Sequence, residues 1–183
     1  MGGKIVPEKL IGKYITLREV TVDDADFILS LRCDAIKSRF LHRTSNDKSA
    51  QIAYIQKYFN LPNEWYFISE NKLGKKLGTF RIYDIKDDSF CFGSWLMVDG
   101  TTPWESFETD YLVRMYGFDI LGFNKIHFDV RKDNKKVWNY HQSLGAKRIG
   151  ETELDFLFEV TKEDYIAKAE VMWKTMRVLA NFS

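Results

Sequence analysis

Apolar and polar positions divide the chain into short strands and amphipathic helices. Tyr14–Leu17 reads as a first strand. Thr21, with Asp24 three residues later, is a capping-box start for a helix to about Cys33, carrying Ala25, Ile28, Leu29 and Arg32 at helical spacing. Ser45 or Asn46 caps a second helix over Ser49–Phe59, with Ile52, Ile55 and Phe59 on one side. Glu64–Ser69 and Leu77–Ile85 alternate as strands around the turn Asn71–Lys76. After Gly145, Lys147–Ile149 and Asp155–Val160 read as two last strands. Thr161 then opens a helix to about Leu179, with Ile166, Ala169, Trp173, Met176 and Ala180 at three- or four-residue spacing.

The stretch Phe90–Gly145 is the most informative. Phe90–Val98 is a nearly unbroken apolar run of strand length. Asp99-Gly100-Thr101-Thr102-Pro103 breaks it. A helix follows over about Glu105–Leu121, where Phe107, Tyr111, Met115 and Phe118 share a face. Lys125–Val130 alternates as a strand, and Asp133-Asn134 opens a helix carrying Val137, Tyr140, His141 and Leu144. Strand, long crossover helix and strand imply a parallel βαβ unit. Sites in such units form at the carboxyl end of the first strand, where the next helix directs backbone N–H groups outward. Here that end is Met97–Phe107.

Composition narrows the classes. The chain has 183 residues, 45% hydrophobic and 15% aromatic, enough for one ordered domain with a substantial core. Twenty-seven basic residues against 26 acidic ones give no basic excess, which argues against nucleic acid as a partner. Cys33 and Cys91 are too few for a disulfide scaffold, and no cysteine–histidine spacing suggests a metal. No apolar run reaches membrane-span length and no signal-peptide core is present, so neither a membrane partner nor export is expected and a cytoplasmic location is.

The ordered set Trp95-Leu96, Tyr116-Gly117-Phe118-Asp119-Ile120-Leu121-Gly122, Lys125-Ile126, Val130, Asn134 and Leu144-Gly145-Ala146 resembles the core of the GNAT N-acetyltransferases, with no gap from Trp95 to Ala146. It is similar to the branch of ribosomal-protein alanine and amino-sugar acetyltransferases. The resemblance covers roughly Ile11 to Val160. It implies an α/β acyl-CoA N-acyltransferase fold: a mixed, mostly antiparallel sheet, splayed at its parallel pair, with helices on both faces. The domain is residues 1–160, extended by the C-terminal helix in 161–183. That helix packs on the body, the ordinary fate of an apolar stripe, or supplies a homodimer contact.

The implied activity moves acetyl from acetyl-CoA to a primary amine by direct attack. The resemblance implies that Leu96, Met97 and Val98 pair their backbone with the pantetheine arm. It also implies that Thr101, Thr102, Trp104, Glu105, Ser106 and Phe107 stand where a glycine-rich loop holds the pyrophosphate. The glycines are absent, Pro103 has no N–H, and Glu105 adds negative charge. Asn134 matches a cofactor contact and also suits a helix cap. His141 takes the place of a tyrosine that protonates the departing thiolate; a histidine on an apolar helix face is equally a hydrogen-bonded core residue. Asp84, Asp88, Asp129 and His127 are the residues considered as a general base, with a water chain as an equal alternative. Arg39, His42 and Arg43 are candidates for a phosphate or carboxylate of the acceptor, against a solvated basic loop. The preferred acceptor is a small molecule, an amino group on a nucleotide-linked sugar. A protein N-terminal amine of the ribosomal type is the alternative. A GNAT-like binding protein without activity is the competing class.

Overall fold

A computed structural model describes residue 6, residues 9–41 and residues 43–182. Eight strands form one sheet in the order β1-β2-β3-β4-β5-β6-β8-β7. They are β1 (Leu10–Ile11), β2 (Ile15–Glu19), β3 (Trp65–Asn71), β4 (Lys76–Lys86), β5 (Ser89–Met97), β6 (Lys125–Arg131), β7 (Lys147–Glu151) and β8 (Asp155–Thr161). The helices are α1 (Ala25–Arg32), α2 (Lys48–Tyr58), α3 (Pro103–Met115), α4 (Lys135–Ser143) and α5 (Lys162–Asn181). Neighbouring strands run antiparallel at β1–β2, β2–β3, β3–β4, β6–β8 and β7–β8, and parallel at β5–β6. The chain divides into two compact units: the chain up to Tyr83 with Gly93–Val113, and Asp84–Phe92 with Arg114 onward.

In the first unit the two-residue period of β3 decides which helix meets which face. Tyr66 and Ile68 join Val20, Ala25, Ile28, Ile55 and Tyr58 in a core under α1 and α2. The Tyr58 hydroxyl donates to Glu19 Oε1 at 2.7 Å and accepts from the Tyr66 N–H at 3.0 Å, so this buried phenol is satisfied in both senses. On the opposite face of β3, Ser69 Oγ meets Thr109 Oγ1 of α3 at 2.7 Å. Helices therefore cover both faces, as the resemblance implied. Arg18 forks onto the fully buried Asp24 at 2.7 and 2.9 Å, and Lys76 reaches the same carboxylate at 2.6 Å.

In the second unit an aromatic core joins β5, β6, β8 and the start of α5. Phe128 stacks on Phe158 at 5.5 Å, and Phe118 packs between Phe90 and Tyr165. The parallel ladder pairs Ser89, Phe90 and Cys91 with Lys125, Ile126 and His127, and ends there although β5 continues to Met97.

Several boundaries differ from the sequence reading. Asp47, rather than Ser45 or Asn46, caps α2, accepting from the N–H groups of Ser49 and Ala50. The helix expected from Glu105 begins at Pro103, whose missing N–H costs nothing in a first turn, and α-geometry stops at Met115. Tyr116–Ile120 then forms one π-helical turn. The chain between Arg32 and Asp47 folds mainly into turns at 35–40.

Candidate active site

The carboxyl end of β5 and the start of α3 lie within the first unit and form a continuous ledge, Leu96 to Phe107. Leu96 and Phe107 are buried, while Met97, Val98, Thr101, Thr102, Trp104, Glu105 and Ser106 are half-buried. The Val98 N–H donates to Leu77 O at 2.7 Å, which ties this end of β5 to β4. Gly100, at φ +81°, closes the turn, where an L side chain would be strained. Thr101 Oγ1 returns to Val98 O at 2.8 Å. The Trp104 ring lies 6.3 Å from Tyr14.

The first turn of α3 carries its own anion. Glu105 Oε2 accepts from the Thr102 N–H at 2.9 Å and from Thr102 Oγ1 at 2.8 Å, and the Glu105 N–H donates to Thr102 Oγ1 at 3.3 Å. This is a reciprocal capping box. The carboxylate stands where a helix N-terminus draws a phosphate. The Thr102 N–H and hydroxyl are the donors this carboxylate occupies. Glycine is not needed to present them, because they belong to the helix end.

A deeper carboxylate fixes the same helix. Glu108, 3% exposed, accepts the backbone N–H groups of Lys13, Tyr14 and Ile15 at 2.8, 2.6 and 2.8 Å. The sequence reading did not include this loop-to-helix clamp.

The acceptor candidates lie in the segment between α1 and α2. Arg39 and Arg43 are exposed, and Arg39 lies over the Phe40 ring at 4.6 Å. His42 lies outside the described residues. A cavity of about 200 Å³ is lined by Arg32, Thr44, Gln51, Tyr54, Tyr66 and Arg81 among others, with no carboxylate in its lining. Arg32 Nε donates to Thr44 Oγ1 at 2.6 Å. The Arg81 guanidinium lies 5.2–5.4 Å from the rings of Tyr54, Tyr66 and Tyr83 and pairs with Glu64. Its Nε–H is buried with no hydrogen-bond partner among the described residues. Burial pushes the Tyr66 phenol up to about 12, so that hydroxyl is neutral. Neither Arg32 nor Arg81 stood out in the sequence: one lies on a helix face, the other in a strand of alternating aromatics, where a cation two residues from Tyr83 was the signal available.

In the second unit, Asn134 occupies the N-cap of α4, but its side chain makes no capping hydrogen bond, so the carboxamide remains available to a ligand. His141 is 2% exposed. Its Nδ1 faces Arg114 Nη2 at 2.9 Å, and its ring packs edge-on against Phe92 and Phe128. Burial first, and the Arg114 cation second, hold the imidazole well below its ordinary range, so it is neutral. With the guanidinium donating to Nδ1, the ring proton belongs on Nε2. Of the considered bases, Asp84 and His127 join Ser89 at the amino end of β5: Ser89 Oγ meets His127 Nδ1 at 2.7 Å, and His127 Nε2 lies 3.4 Å from Asp84. That is the opposite end of the strand from Met97. Among the described residues no cluster of three His, Cys, Asp or Glu side chains is placed to hold a metal ion, and no helix is long and apolar enough to cross a membrane.

Comparison with solved structures places this architecture. No protein-family model and no curated protein sequence matches the chain. The apo structure of FdhC, described as a nucleotide-linked sugar GNAT, superposes with a TM-score of 0.80 at 32% identity, covering 91% of this chain and 96% of that one. A GCN5-related N-acetyltransferase from Brucella melitensis superposes with a TM-score of 0.75 at 14% identity over 95% of this chain and 88% of that one. Spermidine N-acetyltransferase from Vibrio cholerae, in complex with CoA and spermine, does so with a TM-score of 0.74 at 16% identity over 85% of this chain and 99% of that one. The last two likenesses show the fold alone. The first, at 32% over nearly the whole of both chains, shows the family: this chain belongs to the GNAT N-acetyltransferases. It is an acetyl-CoA-dependent N-acetyltransferase.

Proposed function

We propose that this enzyme acetylates an amino group on a nucleotide-linked sugar, and that the cavity between Arg32 and Arg81 receives a phosphate of that acceptor. The observation that carries the reading is a cavity lined by two guanidinium-bearing residues, Arg32 and Arg81, with no carboxylate in its lining. A planar guanidinium matches the oxygens of a phosphoryl group. The lining offers no carboxylate to a polyamine or to a peptide N-terminus. At about 200 Å³ the cavity lies below the roughly 300–1,000 Å³ usual for a whole ligand, so it holds only part of the acceptor. FdhC, described as a nucleotide-linked sugar GNAT, supports the same substrate class.

Acetyl-CoA supplies the activated acyl group. The backbone of Leu96–Val98 aligns its arm, and Thr102 holds its diphosphate after Glu105 turns out. The acceptor amine attacks directly, since among the described residues neither Cys33 nor Cys91 is paired with a histidine base. His141 acts from the core in this reading: it fixes Arg114 rather than protonating the thiolate.

The test is thiol release from acetyl-CoA with a panel of nucleoside-diphosphate amino sugars, spermidine and an alanine-terminated peptide. The sugar nucleotides should lead in kcat/KM, and Arg81→Ala should raise their KM about tenfold or more, as expected for loss of a charged hydrogen bond. Its acetyl-CoA affinity should be unchanged. Preference for spermidine or peptide, or an Arg81→Ala enzyme with unaltered KM, would overturn the assignment.

A further inference from the structure

The C-terminal helix carries a second apolar stripe that its own unit does not use. The inner stripe of α5 is buried at Tyr165 and Ala169, and Trp173 and Met176 are half-buried. On the other side Val171 is 61% exposed, Val178 54% and Phe182 87%. These three are seven and four residues apart, which at about 100° per residue puts them within a few tens of degrees of one direction. Ala167 extends the stripe by one turn. An aligned apolar face of this kind is more than scattered exposure.

The flanking charges indicate what covers it. Glu163, Glu170 and Arg177 follow one another at intervals of seven along one border of the stripe, acidic in the first half of the helix and basic in the second. A second α5 running antiparallel matches this pattern. A two-fold axis near Lys174 and Thr175 sets Val171 against Val178 of the other copy and Ala167 against its Phe182. In antiparallel helix pairs the same border of each helix meets, so Glu170 comes within reach of the other copy's Arg177, twice by symmetry. Lys174 near the axis has Glu170 one turn before it as a compensating charge. A partner carrying a uniform charge would meet attraction in one half of this border and repulsion in the other. A second copy of the chain meets attraction in both.

We infer that α5 forms an isologous, antiparallel homodimer contact through Ala167, Val171, Val178 and Phe182, with register set by Glu170 and Arg177. A single helix stripe buries less than the roughly 800 Å² per partner of a standard interface, so the dimer forms in the micromolar range.

Sedimentation equilibrium of the full chain tests this over about 1–200 μM, a range chosen to bracket that affinity. The mass should rise from the 21.6 kDa monomer toward twice that value. Val178→Asp should hold the protein monomeric, and its circular dichroism should match the parent because the site is exposed. Glu170→Arg and Arg177→Glu should each weaken dimerisation about tenfold. The Glu170→Arg/Arg177→Glu double variant should recover it. A monomer at every concentration refutes the contact. So does a dimer indifferent to Val178→Asp, or a double variant no better than the singles. Binding of the monomer to anionic vesicles, abolished by Val178→Asp, would reassign the stripe to a lipid surface and equally overturn the inference.

Discussion

Glu108 acts as an acceptor for the stretch of backbone that leads into β2. Its carboxylate takes three consecutive N–H groups, from Lys13, Tyr14 and Ile15, at 2.6–2.8 Å, and it is almost wholly buried. In Glu108→Gln one carboxamide oxygen can keep the pair of bonds to Tyr14 and Ile15, but the NH₂ then faces the Lys13 N–H, donor against donor. Two charge-assisted bonds become neutral ones and a third is lost. Hydrogen bonds to charged groups contribute about 1.5–3 kcal/mol net and neutral ones about 1, so the cost is about 3 kcal/mol. For a chain of this size that lowers the melting temperature by roughly 6–12 °C. Gly12 sits so close that a Cβ would lie 2.5 Å from the Glu108 carboxyl carbon, so Gly12→Ala presses on a side chain that three bonds hold in place. Because both changes act on one clamp, the double variant should cost less than the sum of the singles. Calorimetric melting and urea titration measure this. A Glu108→Gln protein melting within a degree or two of the parent, or strict additivity with Gly12→Ala, would show that the clamp does not hold the helix that carries the ledge.

Glu105→Gln keeps an oxygen for the Thr102 N–H but removes a negative charge from the helix end, so acetyl-CoA should bind about fivefold more tightly, equivalent to about 1 kcal/mol of relieved repulsion. Calorimetry with free CoA reads this directly, and weaker binding would show that the carboxylate is not in the diphosphate's place. His141→Phe should keep turnover within about threefold while losing about 2 kcal/mol of stability, because buried Arg114 loses an acceptor; a hundredfold fall in kcat in a folded variant would restore His141 as the proton donor. Two groups predict how stability falls with acid. Folded His141 resists a proton that the unfolded chain takes up near pH 6.5, so its contribution is full above that pH and declines below it, and His141→Phe should flatten this part of a urea-midpoint profile. Burial alone would push the Asp24 carboxyl up, but hydrogen bonds from Arg18, Lys76 and the Thr21 N–H outweigh it and hold the group well below the usual carboxylate range. Its contribution is therefore present above about pH 4 and lost as pH falls further. Asp24→Asn should cost about 3 kcal/mol at pH 7 and abolish that lower slope.

Strands and helices were legible in the sequence where one face is wet and the other dry. Lys125–Arg131 and the α5 core stripe show that pattern, and the expected boundaries there differ from the structure by only a residue or two. The sequence signal weakens where side chains rather than periodicity decide. Asp47 caps α2 because its carboxylate reaches two N–H groups, yet Ser45 and Asn46 are equally good caps by type. The π-turn at Tyr116–Ile120 leaves the apolar spacing of Phe107, Tyr111, Met115 and Phe118 almost unchanged, so periodicity could not reveal it. The same limit applies to the cavity lined by Arg32 and Arg81. A run of basic residues in 37–44 is conspicuous in one dimension, but Arg39 and Arg43 are turned to solvent. Arg32 and Arg81, 49 positions apart, meet only after α1 and β4 are in place.

The missing glycines of the diphosphate loop show how a departure from a pattern can preserve its physics. Glycine in such a loop lets a phosphate approach backbone donors that a Cβ would shield. Here the turn ends one residue before a proline that fixes the first helical φ, and Thr102 presents both an N–H and a hydroxyl from the N-cap. The donors exist without glycine. What changes is the competitor: a loop of glycines waits for its anion in water, whereas this helix end already holds Glu105, which under the proposed function a diphosphate displaces. Affinity for acetyl-CoA is then reduced by the work of moving that side chain, and a more negative ligand gains more from displacing it. On that reasoning desulfo-CoA and acetyl-CoA, which carry the same phosphates, should respond equally to Glu105→Gln. Acetyl-pantetheine, which lacks the diphosphate, should not respond at all. Equal responses from acetyl-pantetheine and acetyl-CoA would place the effect of Glu105 on the acyl end and remove the argument for displacement.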